Sequence, residues 1–255
     1  MHANLIEAER LIALAVKAGA NLVVLPENFA LMGMRDHDVV AAREPDGHGP
    51  LQDFLAAQSA RHGIWLVGGT IPIACDHADR VRAGCLLYGP DGRRLARYDK
   101  MHLFDVTVDD ERGTYRESAT LEPGDQLVVV DTPLGKIGLT VCYDLRFPEQ
   151  VRAMAQRGAQ IVVLPAAFTA VTGRAHWEVL VRARSIENLV YMVASAQGGY
   201  HANGRETYGH SMIVNPWGQI VDLLPRGSGV VLGNLDLARQ QATRARFPCL
   251  EHRRL

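Results

Sequence analysis

The 255-residue chain is 47% hydrophobic and 22% charged, the balance of an ordinary globular protein able to bury one large core. Its 27 basic and 28 acidic residues leave a formal charge of -1, so no long-range field is available to hold nucleic acid or an anionic membrane surface. The four cysteines form neither a CxxC pair nor a disulfide ladder, no apolar run approaches the roughly 18 residues of a membrane span, and Glu7 and Glu9 stand where a secretory signal would be basic; these features predict a single cytoplasmic domain over residues 1–255 with reduced thiols.

Leu5, Ile6, Leu11, Ile12, Ala15 and Val16 recur at helical spacing and predict a helix over 4–18, with Asn4 and Glu7 as a capping-box variant and Gly19 as the stop. Asn21 to Leu25 follows as a short, wholly apolar strand ending at Pro26, the pattern of a strand covered on both faces, and Glu27 lies just beyond it. Further strands are predicted at 64–71, 83–88, 93–98 and 127–131, with Gly89-Pro90-Asp91-Gly92 as a turn. A strand at 135–141 ends at Cys142, and a helix from 148 to 157 leads into Gly158-Ala159-Gln160-Ile161-Val162-Val163-Leu164-Pro165. That octet matches Gly19 to Pro26 at six of its eight positions, which predicts a structural pseudo-repeat. A helix at 175–188, strands at 190–196, 210–214 and 229–235, and a turn at Asn215-Pro216-Trp217-Gly218 complete a layered α/β domain. The second copy has a strand before its helix and the first has none, so the first strand of the fold is expected to be missing. About ten residues of apolar strand are expected upstream of Met1, with a gap near 21–25 and 229–235.

Cys142 stands where a strand turns into a helix, a position that exposes a nucleophile at a sheet edge beside free backbone N–H groups. A lone cysteine at a strand end is more commonly an inert buried thiol, so other residues must decide. Glu27 occupies the mirrored position of the first repeat and could take the thiol proton at the same edge. Lys100, in Tyr98-Asp99-Lys100-Met101-His102-Leu103-Phe104, is flanked by hydrophobes that would desolvate its ammonium. Taken alone, Glu27 reads as a turn acid and Lys100 as a surface lysine.

Together, Leu25-Pro26-Glu27-Asn28, Tyr98 to Phe104 and Gly138-Leu139-Thr140-Val141-Cys142-Tyr143-Asp144 resemble the three signature segments of the carbon-nitrogen hydrolase, or nitrilase, superfamily, in the same order and with compatible spacing. The resemblance runs along nearly the whole chain, through Glu122-Pro123-Gly124-Asp125, Pro165-Ala166-Ala167-Phe168 and Tyr208-Gly209-His210-Ser211. It implies a four-layer α-β-β-α sandwich of the nitrilase type and a Glu-Lys-Cys triad mapped onto Glu27, Lys100 and Cys142. It implies also a second glutamate between the lysine and the cysteine, for which Glu117 is the match and Glu111 and Glu122 are surface alternatives. In the implied chemistry, Cys142 attacks a carbonyl, Glu27 moves the proton, and Lys100 with the Tyr143 N–H holds the oxyanion, with no metal or organic cofactor required.

Segments 166–169, 173–178 and 196–201 resemble the Nit branch, above all its deaminated glutathione amidases. The substrate so implied is a small keto-acid carboxamide, deaminated glutathione first, cleaved through a cysteine thioester with release of ammonia. An ω-amidase or N-carbamoyl amino acid hydrolase is the alternative, a true nitrilase is further off, and a non-catalytic interaction module of the same fold is the reading from another class. Tyr143, Arg146, Phe168 and Thr169 are the candidate substrate-binding residues. Arg146 could hold a substrate carboxylate or pair with Asp144 or Glu149. His102, His176 and His210 lack metal-ligand spacing, and Gly68-Gly69 and Gly198-Gly199 lack the context of a dinucleotide loop. The 175–188 helix carries Trp177, Leu180, Val181 and Ile186, more apolar surface than one sandwich face absorbs, which predicts a homodimer or a higher even oligomer.

Overall fold

The computed structural model describes residues 1–110 and 112–254. In chain order, α1 (His2–Lys17) leads into β1 (Leu22–Val24), and α2 (Asp38–Ala41) and α3 (Pro50–His62) precede β2 (Trp65–Val67), β3 (Ile71–Ala74), β4 (Val81–Tyr88) and β5 (Arg94–Asp99). A hairpin of β6 (Asp105–Thr107) and β7 (Thr114–Arg116) carries the chain to β8 (Val129–Thr132), β9 (Gly135–Leu139), α4 (Pro148–Gln156), β10 (Ile161–Ala166), α5 (Ala170–Asn188) and β11 (Tyr191–Ala196). A second hairpin, β12 (Gly198–Tyr200) with β13 (Glu206–Tyr208), precedes β14 (Ser211–Val214), β15 (Ile220–Leu224) and α6 (Leu237–Arg246).

Side-chain alternation along the strands sorts these elements into layers. In β4, Cys85 and Leu87 pack with Ile137, Leu139 and Met192 of the other sheet, whereas Leu86 and Tyr88 pack with Ile12, Leu51 and Leu55 of α1 and α3. On the far side, Met154 of α4 and Trp177 and Val181 of α5 cover the second sheet. The result is the expected α-β-β-α sandwich, and each such large side chain taken fully out of water contributes about 1.5–3 kcal/mol. The first sheet joins β1 to β2 in parallel, with β4 antiparallel to β2 and β3 and then to β5. The second runs β15-β14-β11-β10-β9-β8. Among the described residues no helix is long and apolar enough to cross a membrane.

The pseudo-repeat is structural. Gly19 and Gly158 take φ 95° and 89°. Each N–H returns three residues, to Val16 O and Ala155 O, and the next N–H bonds Ala15 O or Met154 O. Leu22 then pairs with Trp65 as Ile161 pairs with Tyr191, both in parallel register. The copies differ on the other edge: β10 is bonded to β9 as well as β11, while β1 is bonded among the described residues to β2 alone. A cleft of about 900 Å³, lined in part by Val23, Val193, Ile213 and Val231, lies along that edge.

Several expectations need correction. The first helix begins at His2, so Asn4 caps nothing; its amide donates to Ala30 O at 2.9 Å, and Glu7 pairs with Arg10. Residues 229–235 form no strand: the segment runs beside β15, where the Leu232 N–H bonds the Asp222 carboxylate at 2.8 Å instead of a backbone carbonyl. The run 64–71 breaks after Val67 because Gly68-Gly69-Thr70 turns away before β3. On α5, Trp177 and Val181 are consumed by the core, and the exposed apolar side chains are Val171, Val179 and Ile186.

Candidate active site

Cys142 is held at a sharp elbow. After β9, the Thr140 N–H and hydroxyl both bond Val163 O, the hydroxyl at 2.8 Å, so the chain stays locked to β10 until it turns. Cys142 itself takes φ 49°, a left-handed conformation that costs a non-glycine residue on the order of 1–2 kcal/mol and needs surrounding structure to impose it. Asp144, wholly buried, supplies that structure: Oδ2 accepts from Val141 N at 2.8 Å and from Tyr98 OH at 2.5 Å, and Oδ1 accepts from His102 N at 3.1 Å and lies 2.7 Å from His102 Nδ1. One carboxylate therefore ties the cysteine turn to the segment that carries Lys100.

Glu27 is placed from both sheets. It follows β1, and the next residue, Asn28, turns at φ 57° with its N–H on Thr70 Oγ1 at 2.9 Å. Gly69, at φ 56°, lies so close that a Cβ there would sit 2.1 Å from Pro26 O, so only glycine lets the two loops meet. From the second sheet, the Gln197 amide donates to Glu27 O at 3.2 Å.

Lys100 follows β5 directly, and its Nζ lies 2.8 Å from Glu27 Oε1 and 2.9 and 2.7 Å from the two oxygens of Glu117. Glu117, at the start of a short 3₁₀ turn, also accepts from Phe104 N at 2.8 Å. Lys100, Glu27 and Cys142 are 1%, 3% and 6% exposed, so the charges interact at low dielectric. Burial opposes the ammonium, yet Glu117 and Glu27, with Cys142, outweigh it and hold Lys100 well above its ordinary pKa. Burial and then Glu27 push the Cys142 thiol well above its ordinary value of 9.0, against the pull of Lys100 and of the Ala167 N–H, 3.5 Å from Sγ. The resting nucleophile is thus a thiol beside a ready base rather than a preformed thiolate. A difference titration at 240 nm between the protein and its Cys142→Ala variant should show no thiolate from this residue below pH 9; thiolate absorbance at pH 7 would contradict this electrostatic reading.

The predicted residues are brought together. A small cavity of about 10 Å³ is lined by Cys142, Glu117, Tyr143, Phe168, Thr169 and Arg205, among others. Phe168 packs edge-on against Trp177, and Thr169 caps α5, its hydroxyl accepting from Thr172 N at 3.3 Å. Arg146 pairs with neither Asp144 nor Glu149: its guanidinium lies over the rings of Tyr143 and Phe168, at 5.8 and 5.3 Å, with Nη1 3.3 Å from His176 Nδ1. Glu122 is engaged by Arg82, and Glu111 lies outside the described residues. The bond between Tyr98 and Asp144, and the presence of Arg205 in the pocket, carry no local signal in the sequence. Tyr98 lies 46 residues from Asp144 and Arg205 lies 38 residues from Ala167, whose carbonyl it bonds, spacings that leave no local periodicity to read.

A buried cysteine at an elbow, beside a lysine clamped by two glutamates, is the arrangement the signature segments anticipate. Residues 1–245 match the carbon-nitrogen hydrolase family, and the chain belongs to it. It is 41% identical to a deaminated glutathione amidase of Yersinia enterocolitica over 98% of this chain and 87% of that protein, and 37% identical to the mouse omega-amidase over 98% and 89%. The crystal structure of the Caenorhabditis elegans NitFhit protein superposes with a TM-score of 0.90 at 35% identity, covering 99% of this chain and 61% of that longer one.

Proposed function

We propose that the chain is an amidase that hydrolyses a carboxamide of a small keto-acid metabolite, deaminated glutathione foremost, through a thioester on Cys142. The observation that carries this reading is the buried Glu27–Lys100–Glu117 chain beside the cysteine, with Nζ within 2.9 Å of both carboxylates. Cys142 Sγ attacks the amide carbonyl carbon as Glu27 accepts the thiol proton. The carbonyl oxygen becomes an oxyanion held by Lys100 and by the Tyr143 N–H, which donates to no acceptor among the described residues. The C–N bond breaks as Glu27 returns the proton to nitrogen, leaving the acyl group on sulfur. Glu27 then takes a proton from water, whose hydroxide attacks the thioester, and the acid leaves as the thiol re-forms. Glu117 and Glu27 hold the ammonium between two negative charges, and Tyr143, Phe168 and Thr169 line the acyl pocket, with Arg146 lying over the rings of the first two.

The nitrogen departs as the amine that the amide contained. From deaminated glutathione this is the cysteinyl peptide, not the ammonia expected from the sequence, because the amide nitrogen there is that of the cysteinyl residue; from a primary ω-amide it is ammonia. The second reading is an ω-amidase, favoured by the 37% identity to the mouse omega-amidase. Turnover should be followed as free acid across deaminated glutathione, α-ketoglutaramate, N-carbamoyl amino acids and nitriles. Deaminated glutathione should give the highest kcat/KM, α-ketoglutaramate in first place would establish the second reading, and failure to turn over any amide would overturn both.

Four free cysteines fit a reducing, cytoplasmic setting. A homodimer or an even multiple is supported by one apolar surface: Val179 is 68%, Ile186 46% and Trp217 59% exposed, and Ile186 packs against Gly218, next to Trp217. Light scattering at micromolar concentration should give twice the chain mass or an even multiple, and a monomeric mass would refute this.

A further inference from the structure

Arg205 lines the reactive pocket although neither family resemblance nor spacing singled it out, and its bonding among the described residues is incomplete. The tip of the β12–β13 hairpin fixes its backbone: His201 N–H bonds Arg205 O at 2.9 Å, Arg205 N–H bonds Asn203 Oδ1 at 3.0 Å, and the Asn203 amide reaches across to Gly33 O at 2.7 Å. Tyr208 N–H, further along the same hairpin, bonds Phe168 O at 2.9 Å, so the hairpin is docked on the segment after β10. The side chain then enters the pocket. Nη2 donates to Ala167 O at 2.5 Å, on the residue whose N–H lies 3.5 Å from Cys142 Sγ. Among the described residues Nη1 has only Met32 Sδ at 3.8 Å and the buried Nε has no acceptor, while the guanidinium carbon stands 5.5 Å from the Tyr115 ring centre.

The contrast with other arginines is informative. Arg82, Arg97, Arg112 and Arg184 each meet a carboxylate, respectively Glu122, Asp99, Asp36 and Glu187. Arg205 meets none among the described residues, although Glu117 lines the same pocket, because that carboxylate is committed to Lys100 and Phe104 N. A guanidinium cannot shed its charge, so a buried Nε–H without an acceptor and an Nη1 that meets only a thioether incur a desolvation penalty that an anion entering the pocket would repay with charge-assisted hydrogen bonds. Arg205 also lines the adjoining cavity of about 90 Å³ beside Glu27, which gives room for a chain of atoms beyond the reacting carbonyl.

We infer that Arg205 is the residue that binds a carboxylate of the substrate, so that the enzyme selects amides bearing an anionic group over neutral amides of equal length. This deepens the amidase reading and rests on it. The test uses glutaramate and valeramide, two five-carbon primary amides that differ by a carboxylate in place of a methyl group, and glutarate as a binding probe. Arg205→Gln should cut kcat/KM for glutaramate about 10- to 100-fold, mainly through KM, the scale of one charged hydrogen-bonded contact, and at least tenfold more than it cuts that for valeramide. On a Cys142→Ala background, the same change should weaken glutarate binding by calorimetry to a similar extent. Arg205→Lys, which keeps the charge without the fork, should recover part of both. Equal losses on the two amides, or glutarate affinity within twofold of the parent's, would reduce Arg205 to a structural prop for Ala167 and overturn the inference. Arg205-dependent glutarate binding in a protein that hydrolyses neither amide would uphold the anion site while removing the amidase reading.

Discussion

Cys142→Ala should abolish turnover, with a loss on the order of 10⁵-fold or more, while the protein stays folded. The change removes the only atom able to carry the acyl group in the proposed sequence, yet little of the structure depends on it. Alanine occupies φ 49° no less readily than cysteine, and the Thr140, Val141 and Asp144 bonds that impose the elbow involve other side chains or backbone. The lost volume is one sulfur atom, worth about 1 kcal/mol in a core. Cys142→Ser should be almost as inactive, since a carboxylate that can deprotonate a thiol cannot readily deprotonate a hydroxyl. Steady-state assays paired with thermal midpoints check both, and a variant close to the parent's rate would remove Cys142 from the mechanism.

Lys100→Ala should be the next most damaging change, and unlike the first it should affect stability as well as rate. Removing one oxyanion donor lowers kcat by about 100-fold or more. It also leaves Glu27 and Glu117, both within 2.9 Å of the lost ammonium, as two buried carboxylates without their counter-charge, at a cost of about 3–5 kcal/mol. Lys100→Arg should not rescue either effect. The site is 1% exposed and shaped around a compact ammonium that meets three carboxylate oxygens, and a planar guanidinium has no room there. Recovery by arginine to within a few-fold of the parent's kcat would show that net charge alone matters at this position.

Much of the catalytic geometry was legible because it sits at chain features that sequence marks locally. Glu27 and Cys142 both lie just past short apolar strands, and Pro26, Pro148 and the Gly19 and Gly158 turns punctuate the elements that place them. The octet repeat was legible for the same reason, down to the identical turn bonds. What escaped was everything decided by distant partners. Helix α3 carries Gln52, Gln58 and Ser59 on its buried face, so its apolar period is blurred even though Leu51 and Leu55 anchor it. The hairpin of β12 and β13 is nearly all polar and glycine, and only its docking on Phe168 and Thr169 explains why it forms. The Asp144 hub depends on a tyrosine 46 residues away. Residues 229–235 read as a strand by composition, but beside β15 the Leu232 N–H goes to the Asp222 carboxylate rather than to a backbone carbonyl, and no ladder forms there among the described residues. Trp177 counts toward the apolar excess of its helix because helical spacing cannot tell which face a helix presents, whereas it is fully buried with its indole N–H tied to His210 O at 2.8 Å.

The central claim is a covalent acyl group on Cys142, and it is tested most directly by mixing enzyme with excess deaminated glutathione, quenching in acid within the first turnovers, and weighing the peptide that contains Cys142. The account predicts a mass increase equal to the keto-acid acyl group, on that cysteine alone, absent from Cys142→Ala and lost when the quench is delayed past substrate exhaustion. Hydrolysis that proceeds at the normal rate while this peptide keeps its unmodified mass at every quench time, or an acyl group found on another residue, would contradict it.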